Sequence, residues 1–156
     1  MEYEFILRIF TAAFLGGLIG LEREWRAKEA GLRTHFLVAL GSAVFMIVSA
    51  YGFSDVHMDG MTSRWDVSRV AAQVVSGIGF IGAGTIIFRK AENIVSGLTT
   101  AAGLWVTAAI GLACGAGMYI LAAVATLMVL LGLEAFNYFL HRMDFHHAKS
   151  EEVMEE

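Results

Sequence analysis

Long uncharged stretches, broken by short polar clusters, set the architecture of this chain. Between Glu92 and Glu134 lie 41 residues without a charged side chain. As one helix they would reach about 62 Å at ~1.5 Å per residue, twice the ~30 Å hydrocarbon core of a bilayer. They must fold back, and Gly115-Ala116-Gly117 is the natural corner. Upstream, 34–53 and 70–88 have a spanning length and no Asp, Glu, Lys or Arg. The run 5–21 carries only Arg8, near its outer end, where a long side chain can snorkel to the interface. The pattern predicts an all-α polytopic membrane protein with five transmembrane helices, at about 5–21, 34–53, 70–88, 98–116 and 118–140. Residues 1–140 then form one transmembrane domain and 141–156 a short cytoplasmic tail. The acidic start Met1-Glu2-Tyr3-Glu4, with no clear Ala-x-Ala site after it, assigns the first run to a helix rather than a signal peptide.

Charge sets the orientation. Arg23, Arg26, Lys28, Arg33, Arg89, Lys90, Arg142 and Lys149 share one side of the five-span arrangement. The other side has Arg64 and Arg69, with Arg8 at the end of helix 1. The positive-inside bias places the N-terminus outside and the C-terminus inside. In loop 1, Glu22/Arg26 and Glu24/Lys28 at i,i+4 spacing extend helix 1, Gly31 suits a helix C′ position, and Thr34 could cap helix 2. Ser63-Arg64-Trp65-Asp66 has the spacing of a capping box ahead of helix 3.

Composition narrows the class. Apolar residues make up 57 %, charged residues 17 %, and mean hydropathy is +0.64, too little polar surface for a soluble domain of this size. The single cysteine, Cys114, excludes a disulfide scaffold and reads as inert packing. The net charge of −4 has four acids in the tail, which argues against a nucleic-acid binder.

Gly77-Ile78-Gly79-Phe80-Ile81-Gly82 matches the dinucleotide fingerprint, yet it lies inside an apolar run without the strand and acidic residue that fingerprint needs. Small residues in membrane helices let backbones approach closely, so Gly77, Gly79, Gly82 and Gly84 are read as helix packing, as are Gly16 and Gly20. The stripe Ala72, Ser76, Gly79 and Ala83 belongs to the same reading, and a locally broken helix lining an ion site is the alternative. Gln73 is costly at membrane depth and asks for an interhelical hydrogen bond or a functional role. Asp66 and Arg69, three apart, are expected to pair, with Arg69 folded toward Gln73. Glu134 should reach solvent or a loop arginine. Asp55, His57 and Asp59 read as a solvated loop, and His141, His146 and His147 as a loose cluster. No nucleophile elbow, HExxH helix or P-loop occurs, so no catalytic residue, metal ligand or cofactor is assigned.

Three blocks resemble the MgtC/SapB family of bacterial inner-membrane proteins. The first is Gly16-Gly17-Leu18-Ile19-Gly20-Leu21-Glu22-Arg23-Glu24-Trp25 with Ala30-Gly31-Leu32-Arg33-Thr34-His35. The second runs from Ser68-Arg69-Val70-Ala71-Ala72-Gln73 through Gly82-Ala83-Gly84-Thr85-Ile86, and the third is Gly97-Leu98-Thr99-Thr100-Ala101-Ala102 with Leu104-Trp105. They cover roughly residues 10–115 in order. The resemblance implies a multi-pass inner-membrane protein without known catalysis, linked to growth in low magnesium, to acid or phosphate stress and, in pathogens, to survival in macrophages. It also implies action through other membrane proteins, including the F-type ATP synthase in some members. Virulence-associated members continue into a soluble ACT-like domain and tend to have Asn where Thr99 stands, so a short member with a doubtful ATP-synthase role is expected. The functional candidates are Glu22, Arg23, Arg26, Arg33, Thr34, Asp66, Arg69, Gln73, Thr99 and Thr100. The expected surroundings are the lipid bilayer and either another membrane protein or further copies of the chain. The leading expectation is a regulator in magnesium homeostasis or stress adaptation. A Mg²⁺ or proton channel or transporter, acting as a homo-oligomer, is the alternative.

Overall fold

The computed structural model describes residues 2–53, 66–89 and 94–152, with side chains described over 2–53, 66–86 and 95–135. Five helices occur among them: α1 (Glu2–Trp25), α2 (Leu32–Tyr51), α3 (Ser68–Gly84), α4 (Leu98–Gly115) and α5 (Tyr119–Glu152). A short antiparallel hairpin, β1 (Ile87–Arg89) and β2 (Ile94–Ser96), joins α3 to α4, pairing Ile87 with Ser96 and Arg89 with Ile94.

Helix α1 carries Glu2 and Glu4 in its first turn and Arg23 in its last, each complementing the macrodipole at its end. Tyr3 and Trp25 are both 90 % exposed and stand about 33 Å apart along the helix at ~1.5 Å per residue. That spacing matches two interfacial aromatic belts. Helices α1, α2 and α4 are long and apolar enough to cross a membrane, and the apolar Tyr119–Ala135 of α5 is slightly shorter. Exposed Phe10, Phe14, Ile120 and Leu127 surround the bundle, as lipid-facing residues should.

Helix α2 is the central slab, with α1 and α4 packed on it. Small residues set the closeness of that packing. A Cβ on Gly16 would fall 2.5 Å from the Ala39 Cβ, and one on Gly20 2.7 Å from the Leu32 Cα. From the other side, a Cβ on Gly111 would lie 2.3 Å from the Ala39 carbonyl oxygen, and one on Gly115 2.6 Å from that of Ala43. Ala12, Ile19, Ala39, Ala43, Ile110 and the buried Cys114 fill the seam.

Several boundaries differ from the sequence pattern. Helix α1 continues past Leu21 as its loop charges implied, but stops at Trp25, and Ala27 adopts φ 51°. Gly31, not Thr34, occupies the N-cap of α2. The free Leu32 N–H donates to Glu24 Oε2 at 3.0 Å, so a carboxylate from α1 caps α2 in place of the expected Glu24/Lys28 pair. Helix α3 ends at Gly84 instead of continuing to 88, because β-branched Ile86, Ile87, Ile94 and Val95 favour the hairpin. The corner after α4 falls where expected, with Gly117 at φ 80°. Helix α5 runs on to Glu152, through the region assigned to a tail, since neither Gly nor Pro occurs from Leu133 onward to stop it. Asp55, His57, Asp59 and Ser63-Arg64-Trp65 lie outside the described residues, as do the side chains of His141, His146 and His147.

Candidate functional site

The polar residues of loop 1 converge with the start of α4 and the middle of α5 at one end of the bundle. Arg23 is almost fully buried and grips the Glu22 carboxylate with two nitrogens, Nη2 to Oε1 at 2.7 Å and Nε to Oε2. Arg26 reaches Glu22 at 3.6 Å and also pairs with Glu134 on α5, the loop arginine that Glu134 called for. Thr100, buried in the first turn of α4, donates from Oγ1 to Glu29 Oε2 at 2.8 Å. The end of α1 is thereby tied to α2 by Glu24, and loop 1 to α4 by Glu29 and to α5 by Arg26.

Between these ties opens a cleft of about 720 Å³, lined by Arg23, Lys28, Glu29, Thr99 and Thr100 above an apolar floor that includes Val106 and Met128. Gly97, at φ 86°, starts α4 at its rim, and a side chain there would strike the Thr85 carbonyl at 1.9 Å. The first amides of α4 have no side-chain cap, so they add the positive end of a helix to Arg23 and Lys28. The cleft offers both signs of charge, hydroxyls and amide donors to a group approaching from that end.

Of the predicted candidates, the fold gathers Glu22, Arg23, Arg26, Thr99 and Thr100 here. Arg33 is exposed and Thr34 half-buried in the first turn of α2, outside the cleft lining. Asp66, Arg69 and Gln73 are exposed at the start of α3. The expected Asp66–Arg69 pair is not formed among the described residues. Asp66 Oδ1 instead accepts from the Ser68 amide at 3.0 Å and the Ser68 hydroxyl at 2.5 Å. These local bonds close a shorter ring than a pair with Arg69 and hold the Asp66 carboxyl below its ordinary pKa. The glycines divide as well. Gly16 and Gly20 pack closely, and Gly82 makes ordinary contact with Ala101 at 3.5 Å. Gly77, Gly79 and Gly84 have nothing within reach of a Cβ among the described residues, so the close packing expected of them is absent there, and α3 is unbroken through all three.

Sequence reasoning missed several groups. Glu24 and Lys28 read as an i,i+4 pair extending helix 1, and Glu29 carries no signal until the loop folds back. His35 is fully buried, with Nδ1 3.0 Å from the Gly31 carbonyl oxygen. Arg8 does not snorkel. It is 6 % exposed and donates to the Gly115 carbonyl at 2.8 Å and to the Tyr51 hydroxyl at 3.2 Å, while also pairing with Glu4. Glu4 at i−4 was the one signal for this in the sequence.

A bundle of apolar helices with a lipid-facing girdle and one ordered polar end defines an integral membrane protein whose exposed chemistry gathers at an interface. The MgtC family pattern matches residues 9–142, beyond the three blocks of resemblance, and the chain belongs to that family. It is 56 % identical over 144 residues to YhiD of Escherichia coli K12, whose name associates it with magnesium transport; this covers 92 % of the chain and 65 % of YhiD. It is 48 % identical over 130 residues to MgtC of Salmonella typhimurium LT2, covering 83 % of the chain and 51 % of that protein. MgtC of Brucella abortus is 52 % identical over 119 residues, covering 76 % and 45 %. The chain thus spans about half to two thirds of the length of these relatives. No solved structure matches it.

Proposed function

We propose that this is a five-span bacterial inner-membrane protein, N-terminus outside, that acts without catalysis as a regulator in magnesium homeostasis or stress adaptation. The observation that carries the reading is the cleft formed by loop 1, α4 and α5. Its charged rim is held open to one end, while the seam between α1, α2 and α4 beneath is packed by Ala12, Ala39 and Ala43. Under the positive-inside bias that end is cytoplasmic, where Lys28 and Thr99 can meet the polar loops of a membrane partner. The name of YhiD supports the magnesium link.

The test pairs growth with flux. Lys28→Glu and Thr99→Trp should abolish complementation of a deletion strain in low magnesium while leaving the thermal stability of the purified protein intact. Wild-type protein in liposomes should pass neither Mg²⁺ nor protons. Sustained flux, lost in Gln73→Ala, would overturn the regulatory reading. It would establish the second one, transport by a homo-oligomer, which the exposed polar residues of α3 and the name of YhiD favour.

A further inference from the structure

Helix α3 is turned the wrong way round for a helix that ends at lipid. Its inner side, with Ile78 and Gly82 buried, packs on α4 and α2. At about 100° per residue, the opposite pole runs through Arg69, Gln73, Ser76 and Phe80, all exposed and Phe80 86 % so. Polar side chains in a spanning helix almost always face protein. Gln73 and Ser76 lie about 7.5 and 12 Å along the helix from Ser68 at ~1.5 Å per residue, too deep for water at the headgroups. The contrast with other intramembrane hydroxyls is direct. Ser42, Thr107 and Thr126 each donate to the carbonyl four residues earlier, at 2.7, 2.8 and 2.9 Å, whereas neither Ser76 nor Gln73 bonds to any group among the described residues.

We infer that this pole of α3 is a homodimer interface, covered by α3 of a second copy across a two-fold axis along the membrane normal. The inference rests on α3 spanning the bilayer, as proposed above, and not on whether ions pass. Three features select a second copy. An amide and a hydroxyl each donate and accept, so Gln73 can satisfy Gln73, and Ser76 can satisfy Ser76, across the axis. At the outer end each chain exposes one carboxylate, Asp66, and one guanidinium, Arg69, so two reciprocal ion pairs form between copies. Gly79 has open space where a Cβ would be and lies beside Ser76 with the exposed Ala72 and Ala83, a small-residue flank that lets the two backbones approach closely.

Cysteine crosslinking in native membranes tests the interface. The native Cys114 is buried and sets the background. With a short bis-methanethiosulfonate reagent, which forms a disulfide with each thiol and releases sulfinate, Ser76→Cys should give an adduct of twice the chain mass, well above that of Leu127→Cys on the exposed side of α5, outside the cleft. Adding Gln73→Leu or Gly79→Leu should cut the dimer yield about three- to ten-fold, because the first removes an interhelical bond and the second holds the two backbones apart. A Ser76→Cys yield no higher than that of Leu127→Cys overturns the dimer, and so does an adduct of any other mass. If Ser76→Cys in sealed vesicles reacts with a membrane-impermeant maleimide, the five-span reading fails and the dimer falls with it. A shielded thiol that does not crosslink sinks the dimer alone.

Discussion

Arg8 Nη1 donates to the carbonyl of Gly115, 107 residues further along, and so ties the N-terminal part of α1 to the last turn of α4. The same guanidinium lies 5.4 Å from the Tyr51 ring centroid at the end of α2 and 5.8 Å from that of Phe5. A cation here meets the negative end of α4, two ring faces and Glu4 at once. Arg8→Met should destabilise the protein by about 1–3 kcal/mol, chiefly by orphaning a buried carbonyl. Glu4→Gln should cost under ~1 kcal/mol, because that carboxylate is half in solvent. Arg8→Lys should recover little, since one ammonium cannot reproduce the planar fork. Thermal unfolding in detergent ranks the three, and equal effects of Arg8→Met and Glu4→Gln would refute this account.

Two loop arginines that look alike in sequence should behave differently. Arg23 is 2 % exposed against Glu22 at 17 %, whereas Arg26 is 38 % exposed and its partner Glu134 62 %. Arg23→Gln should cost about 2–3 kcal/mol, below the ~3–5 of a sealed pair because Glu22 retains some water. Arg26→Gln should cost less than ~1 kcal/mol. Urea-shifted thermal melts of the two variants decide it, and a larger loss for Arg26→Gln would reverse the assignment of the buried charge.

The glycines give a third contrast. A Cβ on Gly111 overlaps the Ala39 carbonyl oxygen at 2.3 Å and the Ser42 Cβ at 2.7 Å, both on α2. Gly111→Ala must therefore push α4 off α2, at about 1–3 kcal/mol of overpacking. Gly79→Ala, facing open space, should stay within ~0.5 kcal/mol. The comparison belongs at detergent dilutions where the protein is monomeric, measured by melting temperature. A neutral Gly111→Ala would mean that the α2–α4 seam is looser than its distances.

What the sequence revealed follows from what each signal measures. Uncharged length reports burial in lipid, so α1, α2 and α4 and the Gly117 corner were legible. It does not separate helix from strand at the end of an apolar run, which hid the hairpin after Gly84. Small-residue spacing reports that a helix can approach something closely, not what it approaches. Gly16 found α2, while Gly79 found no neighbour among the described residues. The loop charges Glu24 and Glu29 were visible as charges, but their acceptor roles depend on where α2 and α4 begin.

Thr100 and Glu29 provide the last prediction, because their 2.8 Å bond joins loop 1 to α4 across 71 residues. Thr100 is 2 % exposed and Glu29 is exposed, so the bond is half-screened and should contribute about 1 kcal/mol, below the ~1.5–3 of a fully shielded charged bond. Thr100→Val preserves shape and removes only the hydroxyl. Global stability should fall by no more than that amount, yet the loop around Ala27–Gly31 loses a tie to α4. Amide exchange there should accelerate about five-fold, the factor corresponding to ~1 kcal/mol, while α2 and α4 keep their protection. Thr100→Ser should restore the slow exchange, since the donor returns without the methyl. The Thr100 hydroxyl thus contributes to holding the wall of the cleft formed by Lys28 and Glu29. Unchanged loop exchange in Thr100→Val would show that Glu24 and Arg26 alone hold the loop in place.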